Sequence, residues 1–288
     1  LGNVSVRIAW FKKINMAKNI QRVSIMGCGW LGFPLGQELV KTGYTVLGST
    51  TTEAKLLQLK EAGIRPYLIA VDDELSGQID DFFQTDVLVI NIPPGRRRPD
   101  VLERYPEEIK LIISRALADG VKNIVFISSS GVYEDVNREV TEEEINLVTK
   151  GSGGALVICE DYLKSLPDMP LTILRLSGLV GGERKAGRFL AGKKNVANGN
   201  APVNMVHQED CIAVIKRIIE DHIWGETFNV CADEHPTRRD FYTQQARKDG
   251  FEPPTFADDA DGDFKIVLNL KLKERLHYEF RFPDPLAF

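Results

Sequence analysis

At 288 residues, 43% of them hydrophobic, the chain holds enough apolar material for a full core in one large or two small domains. A formal net charge of -5 and a pI near 5.6 argue against the sequence-independent phosphate attraction that most nucleic-acid binders need. The four cysteines, Cys28, Cys159, Cys211 and Cys231, stand far apart with no CxxC pair, as expected of reduced thiols in the cytoplasm and not of a disulfide framework or a metal site; no apolar run approaches the roughly 20 residues of a membrane span, so no membrane partner is expected.

Residues 1–20 carry Arg7, Lys12, Lys13 and Lys18, with no acid before Glu38. The apolar stretch is short and lacks a small-residue cleavage site, so the segment reads as a disordered or upstream-extended leader; a targeting segment, or a membrane contact through Trp10 and Phe11, is the alternative. Beyond it, strand and helix signals alternate as in a doubly wound parallel sheet. Arg22 to Met26 reads as a strand, followed by a helix through Leu35, Leu39 and Val40. Tyr44 to Gly48 is the second strand, Glu53 to Ala62 a helix, and Tyr67 to Val71 the third strand. Asp86 to Asn91 is the fourth strand, ending in Pro93-Pro94-Gly95. Val101 to Ala118 has helical apolar spacing, and Asn123 to Ile127 is the fifth strand. Residues 154 to 166 read as a helix apolar on more than one side, which implies burial against the sheet and against a second subunit. Leu171 to Leu176 is the sixth strand. After residue 177 the texture shifts to glycine, charge and shorter elements: helices at 211–220 and 237–248 and a strand at Thr227 to Val230. The expected division is a leader at 1–20, a nucleotide-binding domain at 21–177, and a cap at 178–288 packed on it.

The most informative segment is Gly27-Cys28-Gly29-Trp30-Leu31-Gly32, between the first strand and its helix. In that context G-x-G-x-x-G is a dinucleotide-binding fingerprint: Gly27 permits the tight turn, Gly29 lets backbone N–H groups approach a pyrophosphate, and Gly32 allows close helix–strand packing. A glycine-rich turn without ligand is the plain alternative. Near the end of the second strand, where NAD-selective proteins usually place a carboxylate, stands Gly48-Ser49-Thr50-Thr51-Thr52 with Lys55 close by. NADP(H) is therefore the preferred cofactor, with NAD(H) second; Thr51 or Thr52 as a simple helix cap is the plain reading.

Three further segments, Ile127-Ser128-Ser129-Ser130-Gly131-Val132-Tyr133, Arg175 to Gly181 and Asn204 to Asp210, join the fingerprint and the Asn229-Val230 strand. Over roughly residues 20 to 280 the chain resembles the extended short-chain dehydrogenase/reductases, the NAD(P)-dependent epimerase/dehydratase family. The resemblance implies an α/β Rossmann-type sheet with a small C-terminal substrate-binding lobe. It implies a cofactor against Gly27, Cys28, Gly29, Trp30, Leu31, Gly32, Ser49, Thr50, Thr51, Ile92, Pro93 and Ser128, and dimerisation through helices 101–118 and 154–166. It also implies a Tyr and, four residues on, a Lys that lowers the phenol's pKa. This chain has no YxxxK: the family's Tyr falls on Ser152 and its Lys on Leu156, with Glu160 at a frequent helix glutamate. No asparagine occurs between Asn91 and Asn123, where the family often has one.

Another group must then move the proton, and the candidates are Tyr133, His207 and Ser129. Each has a plain alternative, as a half-buried packing residue, a hydrogen-bonded loop residue and a strand-end turn former respectively. Arg96-Arg97-Arg98 after the fourth strand, with Arg184, Lys185 and Arg188 after the sixth, would converge on an anionic substrate or stay solvated; Arg96, Arg184, Arg188 and Asn204 are the expected substrate contacts. Glu142-Glu143-Glu144 after Thr141 reads as a capped helix start, as do Glu209 and Asp210. The function expected is hydride chemistry on a small anionic or sugar-like compound with a non-standard proton donor; the alternative is a cofactor-binding redox sensor or assembly partner without turnover.

Overall fold

In a computed structural model the protein is described over residues 20–95, 99–167, 169–257 and 262–288. The expected leader, save Ile20, and the Arg96-Arg97-Arg98 run lie outside the described residues. The chain order is β1 (Arg22–Met26), α1 (Gly32–Lys41), β2 (Thr45–Thr50), α2 (Leu56–Glu61), β3 (Arg65–Val71), β4 (Leu75–Gly77) and β5 (Val87–Ile90). Then follow α3 (Val101–Ala118), β6 (Asn123–Ser129), β7 (Arg138–Val140), α4 (Gly151–Lys164), β8 (Leu171–Leu176) and β9 (Gly178–Val180). The last elements are β10 (Met205–His207), α5 (Gln208–Glu220), β11 (Thr227–Val230), α6 (Arg238–Lys248), β12 (Lys265–Val267) and α7 (Leu270–Leu276).

Eight strands form one sheet in the order β11-β8-β6-β5-β1-β2-β3-β4. Its pairs are parallel apart from the β3/β4 hairpin. The central strands are continuous apolar runs, Val87 to Ile90 and Leu171 to Leu176 being buried throughout, which is what a sheet covered on both faces demands. One face packs against α3 and α4 through Tyr105, Ile109, Ile112, Ile113, Ala155, Cys159 and Leu163. The other packs against α1, α5 and α7 through Leu35, Leu39, Val214, Ile215, Ile218 and Leu272. Each fully buried isoleucine contributes about 1.5–3 kcal/mol of transfer free energy. Strand order reverses at β1, between β2 and β5, and a crevice opens beyond the carboxyl ends of those strands.

Two small parallel pairs, β9/β10 and β7/β12, and helix α6 form a C-terminal lobe, with its own core of Val180, Val203, Met205 and Phe241. The fold differs from expectation at several places. Helix α4 starts at Gly151 and ends at Lys164, with Ile158 exposed. Helix α5 starts three residues before 211, because the His207 side chain accepts the Glu209 N–H and caps it. No helix begins at Glu142: its Oε1 takes the Asn229 N–H at 2.7 Å, and Glu144 Oε1 takes the N–H groups of Ile145 and Asn146 at 2.9 Å each. Side-chain acceptors that bind neighbouring or distant backbone compete with a helix start. All four cysteines are free and buried. Among the described residues, no helix is long and apolar enough to cross a membrane.

Candidate functional site

The fingerprint glycines each do a separable job. Gly27 has φ +101°, and a Cβ there would stand 2.7 Å from the Asn91 carbonyl oxygen. A Cβ on Gly32 would fall 2.3 Å from the Gly27 carbonyl oxygen. At Gly29 a Cβ would meet nothing within 4 Å, so this glycine faces open space. The turn is braced from three sides: Gly27 N–H donates to Ser49 Oγ at 2.9 Å, Cys28 N–H to the Ser49 carbonyl at 2.8 Å, and Asn91 Nδ2 to the Gly27 carbonyl at 3.0 Å. The first helical bond runs from Phe33 N–H to the Gly29 carbonyl at 3.0 Å, leaving the amides just before it ahead of the helical ladder. A rigid turn, an open glycine and unladdered amides at a helix N-terminus suit an anion such as a diphosphate.

The turn opens into a cleft of about 330 Å³ at the strand-order reversal. Gly27, Cys28, Gly29, Ser49, Thr50, Thr51, Ile92 and Pro93 all line it, together with Thr52, Lys55, Ile69, Val71, Asn91 and Glu108. Of the expected residues here, Ser49 turns its hydroxyl into the wall, donating to Met26 Sδ at 3.2 Å while it accepts from Gly27. Lys55 is exposed and forms no ion pair among the described residues. Sequence reasoning missed Asn91 and Glu108. Asn91 ends the fourth apolar run, where a carboxamide could have been flagged as a turn brace. Glu108 is buried on α3 and gave no signal among three glutamates in that helix.

Trp30 and Leu31 sit differently. Leu31 is buried in the core beneath α1. Trp30 ties the turn to the C-terminal lobe: its Nε1 donates to the Gly181 carbonyl at 3.1 Å, and its own carbonyl accepts from Gln208 Nε2 at 2.6 Å. The Arg184 guanidinium lies 5.7 Å from the Trp30 ring and 5.6 Å from the Phe189 ring, within cation–π range. Arg188 is exposed and stacks 5.7 Å from Phe251. Arg184 is thus at the fingerprint and Arg188 is held against α6. Both ends of the Asn204 carboxamide are engaged with β12, Nδ2 to the Lys265 carbonyl at 2.9 Å and Oδ1 from the Val267 N–H at 2.8 Å.

The residues after β6 divide sharply. Ser129 is half-buried and its Oγ accepts the Gly131 N–H at 3.0 Å, its own hydroxyl proton meeting no acceptor among the described residues. Ser128 is buried and donates to Glu160 Oε1 at 2.6 Å. Tyr133 is 1% exposed; its hydroxyl donates to Asn229 Oδ1 at 2.7 Å and accepts from Arg175 Nη1 at 2.7 Å. Burial pushes its phenol up to about 12, against the opposing pull of Arg175. The Arg175–Glu160 pair at 2.6 Å is the hub, both side chains 2% exposed. His207 caps α5 through Nδ1, 3.4 Å from Glu209 N, and stacks on Phe282 with ring centres 3.9 Å apart; burial holds its imidazole below the usual range. Tyr133 is therefore engaged in a buried hydrogen-bond network, and His207 in capping α5. Ser152 stands at the first turn of α4, and Leu156 is buried among apolar side chains of the core.

The doubly wound sheet with this fingerprint, the Ser128–Tyr133 segment and a C-terminal lobe make a Rossmann-type α/β fold similar to that of short-chain dehydrogenase/reductases and NAD-dependent epimerase/dehydratases. The chain belongs to the family of protein YeeZ of Escherichia coli (strain K12), with which it is 38% identical over 272 residues, covering 93% of this chain and 98% of that protein. No family model matches it. Among solved structures, a short-chain dehydrogenase/reductase superfamily protein from Agrobacterium tumefaciens with bound NAD superposes with TM-score 0.72 at 18% identity, covering 91% of this chain and 93% of that one. UDP-N-acetylglucosamine 4-epimerase from Bacillus cereus superposes with TM-score 0.74 at 16% identity, covering 93% of each chain. At such identities these likenesses speak to the fold alone.

Proposed function

We propose that the protein binds a nicotinamide dinucleotide, NADP(H) in preference to NAD(H), and carries out hydride chemistry on a small anionic or sugar-like compound. The observation that carries the reading is Gly29: within a turn braced on every other side, it alone of the three fingerprint glycines leaves room for a ligand's phosphates. Gly27 to Gly32 would hold the diphosphate, and Thr50, Thr51 and Lys55 the ribose end. With no carboxylate at the end of β2 and a cation at Lys55, a 2'-phosphate meets attraction there and not repulsion. When bound, the nicotinamide supplies a hydride donor or acceptor. Ser129, whose hydroxyl proton meets no acceptor among the described residues, would hold the oxygen of the reacting substrate, and Arg184 would offer its charge to an anionic group. The four buried free thiols support work in a reducing compartment such as the cytoplasm. The exposed Leu117 on α3 and Ile158 on α4, 47% and 43% accessible, support pairing of two copies through those helices.

A second reading, cofactor binding without turnover, is favoured by Leu156 and by the closed environment of Tyr133. One titration tests the shared premise. Gly29→Asp places a carboxylate in open space, so thermal stability should stay within about 0.5 kcal/mol of the parent, as for substitutions that touch nothing. NADPH affinity should fall at least about tenfold through charge repulsion at the diphosphate. Unaltered NADPH binding in that variant, or absence of binding by the parent protein at millimolar nucleotide, refutes the reading. Tighter NADH than NADPH binding refutes the cofactor preference alone.

A further inference from the structure

Trp30 follows the open glycine of the fingerprint and is held by the C-terminal lobe at both of its ends. Its carbonyl accepts from Gln208 Nε2 at 2.6 Å, and its indole Nε1 donates to the Gly181 carbonyl at 3.1 Å. That carbonyl and the Leu31 N–H belong to one planar trans peptide, so they point in opposite directions. The Leu31 N–H comes before the first helical bond, from Phe33 N–H to the Gly29 carbonyl, and is one of the amides that a helix N-terminus offers to an anion. A single rigid plane therefore gives its oxygen to the lobe and leaves its N–H for a ligand. An amide whose oxygen accepts a hydrogen bond is polarised into a better donor, and the converse holds as well. The lobe side is equally constrained. Gly181 has φ +116°, and a Cβ there would stand 2.8 Å from His207 Nε2, so its backbone lies directly against the start of α5. Its carbonyl takes the Arg184 N–H at 3.0 Å along with the indole, and its N–H returns to the Arg184 carbonyl at 3.2 Å, which closes the turn carrying Arg184. Gln208 is itself the first residue of α5.

We propose that Trp30 is a positioning residue that couples the two halves of the site: a dinucleotide taken up at 27–32 tightens the lobe turn 181–184, so that the lobe meets its substrate with that turn fixed. This rests on the dinucleotide reading above and deepens it. The chain of bonds runs from Gln208 Nε2 through the Trp30 carbonyl and the Leu31 N–H to a phosphate oxygen, and each link strengthens the next. The indole N–H carries the same constraint from the fingerprint to Gly181. Coupling is reciprocal: whatever factor the nucleotide adds to closure of the lobe, the closed lobe adds to nucleotide affinity. The factor is that of one ordinary hydrogen bond, about three- to tenfold.

Amide hydrogen exchange with and without saturating NADPH reads both sides of the clasp and needs no substrate. In the wild type the nucleotide should protect 27–52 by direct contact. It should also slow exchange across 178–190 and 205–212 by about three- to tenfold, although no residue of those two segments lines the cleft. Trp30→Phe keeps a ring beside Arg184 and deletes the indole N–H, and should abolish the response at 178–190. Gln208→Ala deletes the donor to the Trp30 carbonyl, and should abolish the response at 205–212. In both variants 27–52 should remain protected by nucleotide, and NADPH affinity should fall by about the factor lost from the lobe, as reciprocity requires. A clasp that is merely structural would raise lobe exchange equally with and without nucleotide in the variants, leaving the ratio intact, and that result overturns the proposal. So does a wild-type lobe indifferent to NADPH while 27–52 is protected, which leaves the dinucleotide reading standing. Absence of protection at 27–52 in the wild type removes both. Should Trp30→Phe not fold, Gln208→Ala decides.

Discussion

Tyr133 illustrates how a polar side chain can be spent on structure. Its hydroxyl is shared between Asn229 and Arg175, whose guanidinium also lies 4.9 Å from the centre of the same ring. Arg175 is neutralised by Glu160, which in turn accepts from Ser128 and Lys164. A buried charge pair of this kind is tolerable only because its lone pairs and protons are nearly all engaged. Tyr133→Phe keeps the ring and deletes one link, leaving Asn229 Oδ1 without that donor and Arg175 Nη1 with the Glu142 carbonyl at 3.2 Å. Urea denaturation should register a loss of about 1–3 kcal/mol, the cost of unsatisfied buried groups, with NADPH affinity unchanged. A variant of full stability that has lost nucleotide binding would instead assign the phenol to the cleft.

At the scale of elements, α5 depends on a titratable cap. His207 Nδ1 accepts a backbone N–H only as a neutral ring, and burial holds the imidazole of His207, and that of His235, below the ordinary 6.5. A folded-state pKa below the unfolded one means that the folded protein binds fewer protons. Its contribution to stability is present above about 6.5 and is lost as pH falls through the folded value. Glu209 and Asp210 oppose the shift at His207, and Lys248 adds to it. Between pH 7 and 5 the melting temperature should fall, and His207→Asn, which keeps a capping acceptor without the charge, should flatten part of that decline. An identical pH profile in both proteins would deny the cap its role.

The same elements explain what could be read in advance. β1, α3, β8 and β11 have the bounds expected of them, because each is an apolar run or stripe closed by turn residues. β4, β7, β9, β10 and β12 span three residues each, too few to show a period of two. α7, Leu-Lys-Leu-Lys-Glu-Arg-Leu, hides its apolar side in alternation that reads equally as strand. Within the site, the fingerprint and the residues closing β2 and β5 were legible because their chemistry is local to one turn. Glu108, Asn91 and the Arg175 hub were not, since their roles appear only when partners such as Tyr133 and Asn229, 96 positions apart, are brought together.

For the molecule as a whole, the chain after α7 returns to lock the C-terminal lobe onto the sheet. Asp210, fully buried at the start of α5, accepts from Tyr278 Oη at 2.7 Å, Arg281 N–H at 2.8 Å and Phe282 N–H at 3.2 Å. Phe282 and Phe288 then close on His207, two residues from the Glu209 amide that it caps and beside the Gln208 that holds Trp30. Asp210→Ala releases three donors at once, so amide exchange across 278–288 should accelerate at least about tenfold, the equivalent of 1.4 kcal/mol of local opening, while β1, β5 and β6 keep their protection. Unchanged protection in the tail would mean that ring stacking alone anchors it.

The cysteines carry a practical corollary. Burial drives the thiols of Cys28, Cys159 and Cys231 up to about 12 and that of Cys211 further still, so none presents a thiolate to reagents near neutrality. The native chain is thereby blank to maleimides, and one cysteine engineered at Leu117 or Ile158 would be its sole reactive handle. Spin labels or an oxidative cross-link at that handle would report whether two copies meet along those helices, against no background.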